Sequence, residues 1–182
     1  TGNEIAVCTA SGDQRWPSIG DGYIAWADNR DGDDDYDIYA YSLATEEEFL
    51  VSNAVGNEYL LGVDGGLIAY RRVTGTVYDS EQYGGDPTDI YNVFVYNVGS
   101  GQTTQVTSYN APSSGETYTV RRGDMEDEVL TFRRSRVYKT SYGYWNSSSD
   151  GVMKSQPPTS NPTKISSYTG GDVSTSDGKI VW

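Results

Sequence analysis

A short apolar stretch that follows a tight turn and ends in an aromatic residue occurs four times along the chain. Its final aromatic residues are 44, 62 and 50 residues apart. Repeats of this length that contain short strands are typical of proteins built from a series of small sheets. The pattern therefore predicts a repeated β architecture. The four copies are Asp21-Gly-Tyr-Ile-Ala-Trp26, Gly65-Gly-Leu-Ile-Ala-Tyr70, Glu128-Val-Leu-Thr-Phe132 and Asp177-Gly-Lys-Ile-Val-Trp182.

A second apolar series runs in step with the first. Each of its stretches is followed by another apolar residue after a constant 13 positions. Other intervals differ from unit to unit, so the constant one predicts a hairpin of fixed geometry. The paired positions are Ile38 and Val51, Val93 and Val106, and Val152 and Ile165.

Each unit is predicted to contain four strands, named A to D in chain order. In the first unit they cover residues 16–19, 23–26, 37–42 and 48–52. Asp-Gly or Gly-Gly between strands A and B provides the positive φ that a tight hairpin turn requires. No segment has a sustained helical period. The expected fold class is all-β, a β-propeller of four-stranded antiparallel blades.

The composition agrees with a single all-β domain over residues 1–182. The chain has 21 Gly, 16 Tyr and 36% hydrophobic residues, which suits many short strands and polar turns. No apolar run approaches the 18 or so residues of a membrane span, so none is predicted. The expected blades cover about 10–52, 53–108 and 109–167, with a split blade formed by 172–182 and 4–9.

Two stretches of the first unit are distinctive, Pro17-Ser-Ile-Gly-Asp-Gly-Tyr-Ile-Ala-Trp-Ala-Asp-Asn-Arg30 and Asp37-Ile-Tyr-Ala-Tyr-Ser-Leu-Ala-Thr45. The second unit keeps the pattern in Asp89-Ile-Tyr91 and residues 93–107, and the third lacks Asp-Ile-Tyr. These stretches resemble the TolB-type (WD40-like) β-propeller repeat of bacterial and archaeal envelope and surface proteins. The resemblance implies an extracellular or envelope location and a ring of six or seven blades.

The two ends of the chain are predicted to hold incomplete blades. The first is an unpaired D strand, Ile5-Ala-Val-Cys-Thr9, and the last is an A–B hairpin over residues 172–182. With three full blades between them, one strand is missing from a four-bladed ring. The chain is then a fragment of a longer propeller, a small ring that closes alone, or one of two copies that exchange strands.

The connections between strands B and C differ most in length, whereas the C–D connection is constant. The B–C and D–A loops of a propeller emerge on the same face, and elaborated loops on a rigid scaffold are where binding usually occurs. Exposed aromatic rings in these loops favour contact with protein or carbohydrate. The predicted ligand-binding residues are Tyr78, Tyr83, Tyr142, Tyr144 and Trp145.

The first B–C loop is rich in aspartate. Carboxylates alternate along it, and oxygen-rich loops of this kind can bind Ca²⁺. The alternative is a solvated acidic turn in which the last aspartate accepts hydrogen bonds from backbone N–H groups at the start of strand C. The candidate calcium ligands are Asp31, Asp33, Asp35 and Asp37.

Charge and missing residue types exclude several functions. The 13 Lys and Arg against 26 Asp and Glu give a net charge of −13, so nucleic acid is not an expected partner. The absence of histidine excludes His-based triads and His metal sites. The single cysteine, Cys8, cannot form an intrachain disulfide, and is either a small buried residue or a link between chains.

The expected function is a non-enzymatic binding or assembly module of the cell surface or envelope that uses the face of the B–C and D–A loops. Secretion would need a signal peptide, which is not recognisable in Thr1-Gly-Asn-Glu4. Two alternatives remain open. One is a structural subunit of a surface layer or filament that self-associates through its terminal strands. The other is a glycosidase or lyase that uses loop carboxylates.

Overall fold

A computed structural model describes residues 2, 4–32, 35–78, 87–157, 161–167, 171–177 and 179–182. These residues form β-strands and no helix. In the same part of the chain, therefore, no helix has the length and apolarity needed to cross a membrane. The strands are β1 (Gln14–Gly20), β2 (Tyr23–Asp28), β3 (Asp37–Ser42), β4 (Glu47–Ser52), β5 (Glu58–Asp64), β6 (Leu67–Val77), β7 (Thr88–Asn97), β8 (Gln102–Gln105), β9 (Glu116–Glu126), β10 (Val129–Lys139), β11 (Trp145–Ser155), β12 (Thr163–Ser166), β13 (Ser174–Ser176) and β14 (Lys179–Val181).

The strands form three four-stranded antiparallel sheets and a hairpin. Sheet 1 contains β1 to β4, sheet 2 contains β5 to β8 and sheet 3 contains β9 to β12, each in chain order. Strands β13 and β14 pair with each other in the terminal hairpin. The prediction of an all-β fold is confirmed, and the sheets are consistent with a propeller-like arrangement.

The A–B turns follow the chemistry of their sequences. Asp21 and Gly22 have φ values of 46° and 81°, and Gly65 and Gly66 have values of 56° and 71°. Positive φ at both central residues is what a two-residue type I′ hairpin turn requires. Each turn therefore directs the chain straight back along the strand that precedes it.

The sheets pack face to face, and sheet 2 is buried on both sides. The alternating residues Ile68 and Tyr70 of β6 face sheet 1, whereas Leu67 and Ala69 face sheet 3. Tyr70 stacks on Phe94 with ring centroids 5.7 Å apart. Burial on two sides explains why the repeated sequence is apolar at consecutive positions.

The first strands of the sheets approach one another closely at glycine residues. A Cβ atom at Gly20 of β1 would lie 2.1 Å from the carbonyl oxygen of Val63 in β5. A Cβ atom at Gly62 of β5 would lie 2.9 Å from both the backbone nitrogen and the Cβ atom of Met125 in β9. Glycine at these positions allows β1, β5 and β9 to converge.

Two pairs of strands extend well beyond the six residues of β2 and β3. The B–C connections of sheets 2 and 3 are largely regular hairpin, because β6 pairs with β7 as far as Val77 and Thr88, and β10 pairs with β11 as far as Lys139 and Trp145. We call these extensions the hairpin arms: residues 73–77 with 88–91, and residues 135–139 with 145–149. Their buried residues form a separate cluster that contains Val77, Ile90, Val137 and Trp145, with Tyr109 packed against it.

The predicted N-terminal D strand is not formed. Residues 4–13 contain no strand, and the half-buried Cys8 thiol lies 3.8 Å from a carboxylate oxygen of Asp28 in sheet 1. In all three sheets the fourth strand pairs only with the third. A fourth strand from the N-terminal residues would therefore need a third strand as its neighbour. The described part of the terminal hairpin contains two strands, β13 and β14, and no third.

Replacement of Gly20 by alanine tests the convergence of the first strands. Gly20→Ala should lower the free energy of unfolding by about 1–3 kcal/mol, because the added methyl group overlaps the backbone of β5. Gly99→Ala is the matched control, since its Cβ atom would meet only a side-chain oxygen of Asn97 at 3.4 Å. Urea denaturation measures both. Equal losses in the two variants would contradict the close packing of β1 on β5.

Candidate functional site

A cleft of about 320 Å³ lies where the first strands of the three sheets meet. Strands β1, β5 and β9 each contribute to its walls, and β6 adds one side chain. The strand that follows each D–A connection thus lies at the cleft. Its lining residues are Trp16, Tyr59, Leu60, Leu61, Arg71, Arg121, Arg122 and Gly123.

An irregularity in each of the three strands directs side chains into this cleft. In β1, Trp16 and Pro17 lie between the paired residues Arg15 and Ser18, and in β5, Leu61 lies between Leu60 and Gly62. In β9 the extra residues are Arg121 and Arg122. Bulges bend a strand and redirect its side chains, and they are over-represented next to binding sites. Trp16 also has a φ of 52°, an unusual value for a residue other than glycine.

Aromatic rings form one side of the cleft. Trp16 packs against Tyr59 with ring centroids 5.1 Å apart and against Tyr36 at 5.6 Å. Tyr59 in turn contacts Tyr91 edge to face at 5.7 Å. Trp16 keeps 47% of its surface exposed, so part of the indole remains available to a ligand.

Hydrogen bonds between two connections hold Tyr36 in place. Its backbone N–H donates to the side-chain oxygen of Asn57 at 3.0 Å, and its carbonyl oxygen accepts from the N–H of Glu58 at 2.8 Å. The Gly56 N–H donates to Asp35 at 3.0 Å. The B–C connection of sheet 1 and the chain that leads into sheet 2 are therefore joined beside the cleft.

Arginine side chains form the other side of the cleft. The Arg71 guanidinium lies over Tyr59 and Tyr91, 4.7 and 4.3 Å from the ring centroids, and donates to the carbonyl oxygen of Val120 at 3.0 Å. Arg121 donates to Ser147 at 3.2 Å, and Arg122 pairs with Asp172 at 2.8 Å. Burial lowers the pKa of Arg71, and the charges of Arg121 and Arg122 lower it further.

The described aromatic residues that the sequence predicts as ligand contacts lie outside the cleft. Tyr78 is exposed at the end of β6, and Tyr142 and Tyr144 stack with centroids 6.3 Å apart in the connection between β10 and β11. Tyr83 lies outside the described residues. The prediction of an exposed loop position is wrong for Trp145, which begins β11 and is 8% exposed, because the hairpin arms pack around it.

The described residues of the acidic loop connect β2 to β3 and contact the chain that leads into sheet 2. Asp31 is exposed, while Asp37 begins β3, and burial together with the charges of Asp35 and Asp31 raises the pKa of Asp37 to about 6. One oxygen of Asp35 is buried without a hydrogen-bond partner in the described part of the chain. Among those same residues, however, no three acidic side chains are grouped to hold a metal ion. Asp33 lies outside them, and calcium binding at this loop stays a prediction.

The distinctive Trp-Ala-Asp-Asn-Arg sequence of the first repeat has a structural role. Asp28 is fully buried and accepts hydrogen bonds from the Trp26 indole at 2.8 Å and from the Arg30 guanidinium at 2.7 Å. Arg30 also pairs with Glu48 at 2.5 Å and lies over Tyr39. These contacts join β2, β3 and β4 within sheet 1, and none of these residues lines the cleft.

Sequence reasoning missed the cleft residues. The sequence pattern predicts Trp16 only as the first residue of strand A, and it assigns no site to the arginines. A signal was present in Arg71-Arg72, because two consecutive arginines in a regular strand send one guanidinium to each face of the sheet. In a fold whose sheets are stacked, one of the two must then be at least partly buried.

Comparison of the chain with models of known protein families gives no match, and comparison with curated proteins gives none either. The resemblance to TolB-type repeats therefore stays a prediction from the residues quoted above.

One buried carboxylate beside the cleft is unusual. Glu58, the first residue of β5, is fully buried, accepts a hydrogen bond from Ser52 at 2.6 Å and lies 3.5 Å from the Arg72 guanidinium. Burial raises the pKa of Glu58 to about 7. The folded state therefore binds a proton that the unfolded chain releases above about pH 4.5.

This proton makes stability depend on pH. The free energy of unfolding should fall as the pH rises from about 4.5 to 7, and Glu58→Gln should remove a fall on the order of 2–3 kcal/mol. Urea denaturation at pH 5 and 7.5 measures the difference. The exposed Glu47 provides the matched control variant, Glu47→Gln. The same dependence on pH in both variants would show that Glu58 does not bind the proton.

Proposed function

We propose that the chain is a β-propeller, or part of one, that acts as a non-enzymatic binding module of the cell surface or envelope, and that its ligand binds in the cleft between β1, β5 and β9. The resemblance of the first repeat supports the propeller and the location. The order of the strands in three successive sheets supports the propeller as well. In such a fold the cleft lies close to the axis, on the face of the D–A and B–C connections.

The observation that carries this proposal is that irregularities in three separate strands point into one cavity. A bulge interrupts the ladder of hydrogen bonds and is retained where it places a side chain. Here the displaced residues Trp16, Leu61 and Arg121 meet at a single cleft. Its volume of about 320 Å³ is within the usual range for a ligand site, roughly 300–1,000 Å³.

The lining of the cleft favours binding over hydrolysis at this place. A glycosidase needs two carboxyl groups on either side of the scissile bond. The described residues that line the cleft are aromatic, aliphatic or basic, together with a glycine. An acid and base pair would therefore have to be located elsewhere on the chain.

Truncation of the aromatic wall tests the proposed binding function. We expect the protein to bind members of an array of neutral and acidic oligosaccharides and synthetic peptides. Trp16→Ala should weaken that binding about 30-fold, because aromatic anchors contribute about 2 kcal/mol or more. Tyr142→Ala removes an exposed ring outside the cleft and is the matched control. Binding that depends on Tyr142 and not on Trp16, or no binding at all, would refute the cleft as the site.

Self-association is a second candidate function, favoured by an exposed apolar side chain on the outer face of sheet 1. Ile19 is 66% exposed and pairs with Ile24, on the side of the sheet opposite to the buried Ala25. A second copy that covers this face would bury apolar surface and an open sheet face.

Light scattering on purified protein tests self-association. Assembly predicts a mass above the 19.9 kDa of one chain that increases with concentration and decreases in Ile19→Asp. Leu43→Asp is the control, because Leu43 is also exposed but lies in a turn. A mass of one chain at every concentration, in the original protein and both variants, would exclude assembly through this face.

A further inference from the structure

The cleft holds two arginines, Arg71 and Arg121, that form no ion pair with the described residues. In the described part of the chain, no carboxylate lies within the 4 Å of an ion pair from Arg71 or Arg121. Most other described arginines do form such pairs, as expected in a chain with a net charge of −13. The paired residues are Arg15, Arg30, Arg72, Arg122, Arg134 and Arg136.

An unpaired guanidinium is costly to bury. Arg71 is held between Tyr59, Tyr91 and the carbonyl oxygen of Val120, so only part of its hydrogen-bonding capacity is used. Repulsion between Arg71 and the neighbouring Arg121 and Arg122 adds to this cost. The cost is offset when an anion enters, since guanidinium groups bind carboxylates through charge-assisted hydrogen bonds.

The aromatic wall indicates what carries the anion. Trp16 and Tyr59 present ring surface to the same cavity as the two arginines. The faces of aromatic rings pack against flat, largely apolar surfaces, and the C–H face of a sugar ring is such a surface. A peptide made only of acidic residues would satisfy the arginines but would bring no ring to stack on Trp16.

We infer that the cleft binds an acidic polysaccharide, with a sugar carboxylate at Arg71 and Arg121 and a sugar ring against Trp16. This inference rests on the proposed binding function and specifies its ligand. Attraction to the cleft is local, because the surrounding chain is acidic. An anion therefore binds well only when it also has a ring that stacks on the aromatic wall, and among such ligands the arginines favour the acidic ones.

Two tetrasaccharides that differ only in charge test the inference. The β-1,4-linked tetraglucuronate carries a carboxylate at C6 of each ring where cellotetraose carries a hydroxymethyl group. Calorimetry should detect binding of tetraglucuronate at 50 mM NaCl, at least about tenfold weaker binding of cellotetraose, and weaker binding of tetraglucuronate at 500 mM NaCl. Tetraglutamate provides the peptide with the same number of side-chain carboxylates.

Single substitutions assign the binding to the arginines. Arg121→Gln should weaken the binding of tetraglucuronate at least about tenfold, because it removes one charge-assisted contact. Arg136→Gln is the matched control, since Arg136 is exposed, pairs with Glu116 and lies outside the cleft. Ser147→Ala removes the hydrogen bond between Arg121 and Ser147 without a change of charge, and should leave binding within about twofold. Urea denaturation checks that the variants are folded.

Each other outcome overturns the inference. Equal binding of the two tetrasaccharides would leave a binding cleft without selection for charge. Unchanged binding in Arg121→Gln would show that the carboxylate is not bound at Arg121. In either case, loss of binding in Trp16→Ala would preserve the proposed function. Stronger binding of tetraglutamate would replace the polysaccharide by an acidic peptide. Failure of all three probes would refute the acidic ligand, while the array of oligosaccharides and peptides separately decides whether the cleft binds anything.

Discussion

The structure depends on the burial of the central sheet on both of its faces. Sheet 2 has apolar residues at consecutive positions that point to both of its faces, so it lies between its neighbours, with Ile68 on one side and Leu67 on the other. Contact is closest along the first strands, where Gly20 and Gly62 allow the backbones to approach. Three strand edges then converge on a small region, and that convergence creates the cleft.

The same constraint explains why the cleft combines aromatic and charged groups. Tyr59 and Arg71 pair with each other and line the cleft from regular strand positions, and the bulges in β1, β5 and β9 add further side chains to it. Trp16, Arg121 and Arg122 occupy the bulged positions. Stacked sheets thus leave few places for large aromatic and arginine side chains. The bulges bring these side chains together at the cleft and leave the packing of the apolar core intact.

The sequence predicts those features that depend on neighbouring residues. Strand B and its turn could be recognised because an apolar stretch and an Asp-Gly or Gly-Gly turn are local properties. The constant C–D hairpin agrees with the structure. The arms could not be recognised, because Trp145 is buried only by packing against a distant hairpin. The bulge at Trp16 has no local signature either. The conspicuous motif of the first repeat does not mark the cleft, since Asp28 and Arg30 stabilise sheet 1.

An acidic protein with a basic cleft attracts and repels the same ligand at different distances. At physiological ionic strength, charges are screened beyond about 8 Å, so the repulsion of an anionic chain by the distant surface is weak. Contacts with Arg71 and Arg121 act within hydrogen-bond distance and in partly buried surroundings, where screening is much less effective. Repulsion then reduces unspecific association with anions, while the cleft retains those that also stack on Trp16. The chain is strongly acidic, while Arg71 and Arg121 pair with no carboxylate in its described part, and this combination favours selective over general binding of anionic polymers.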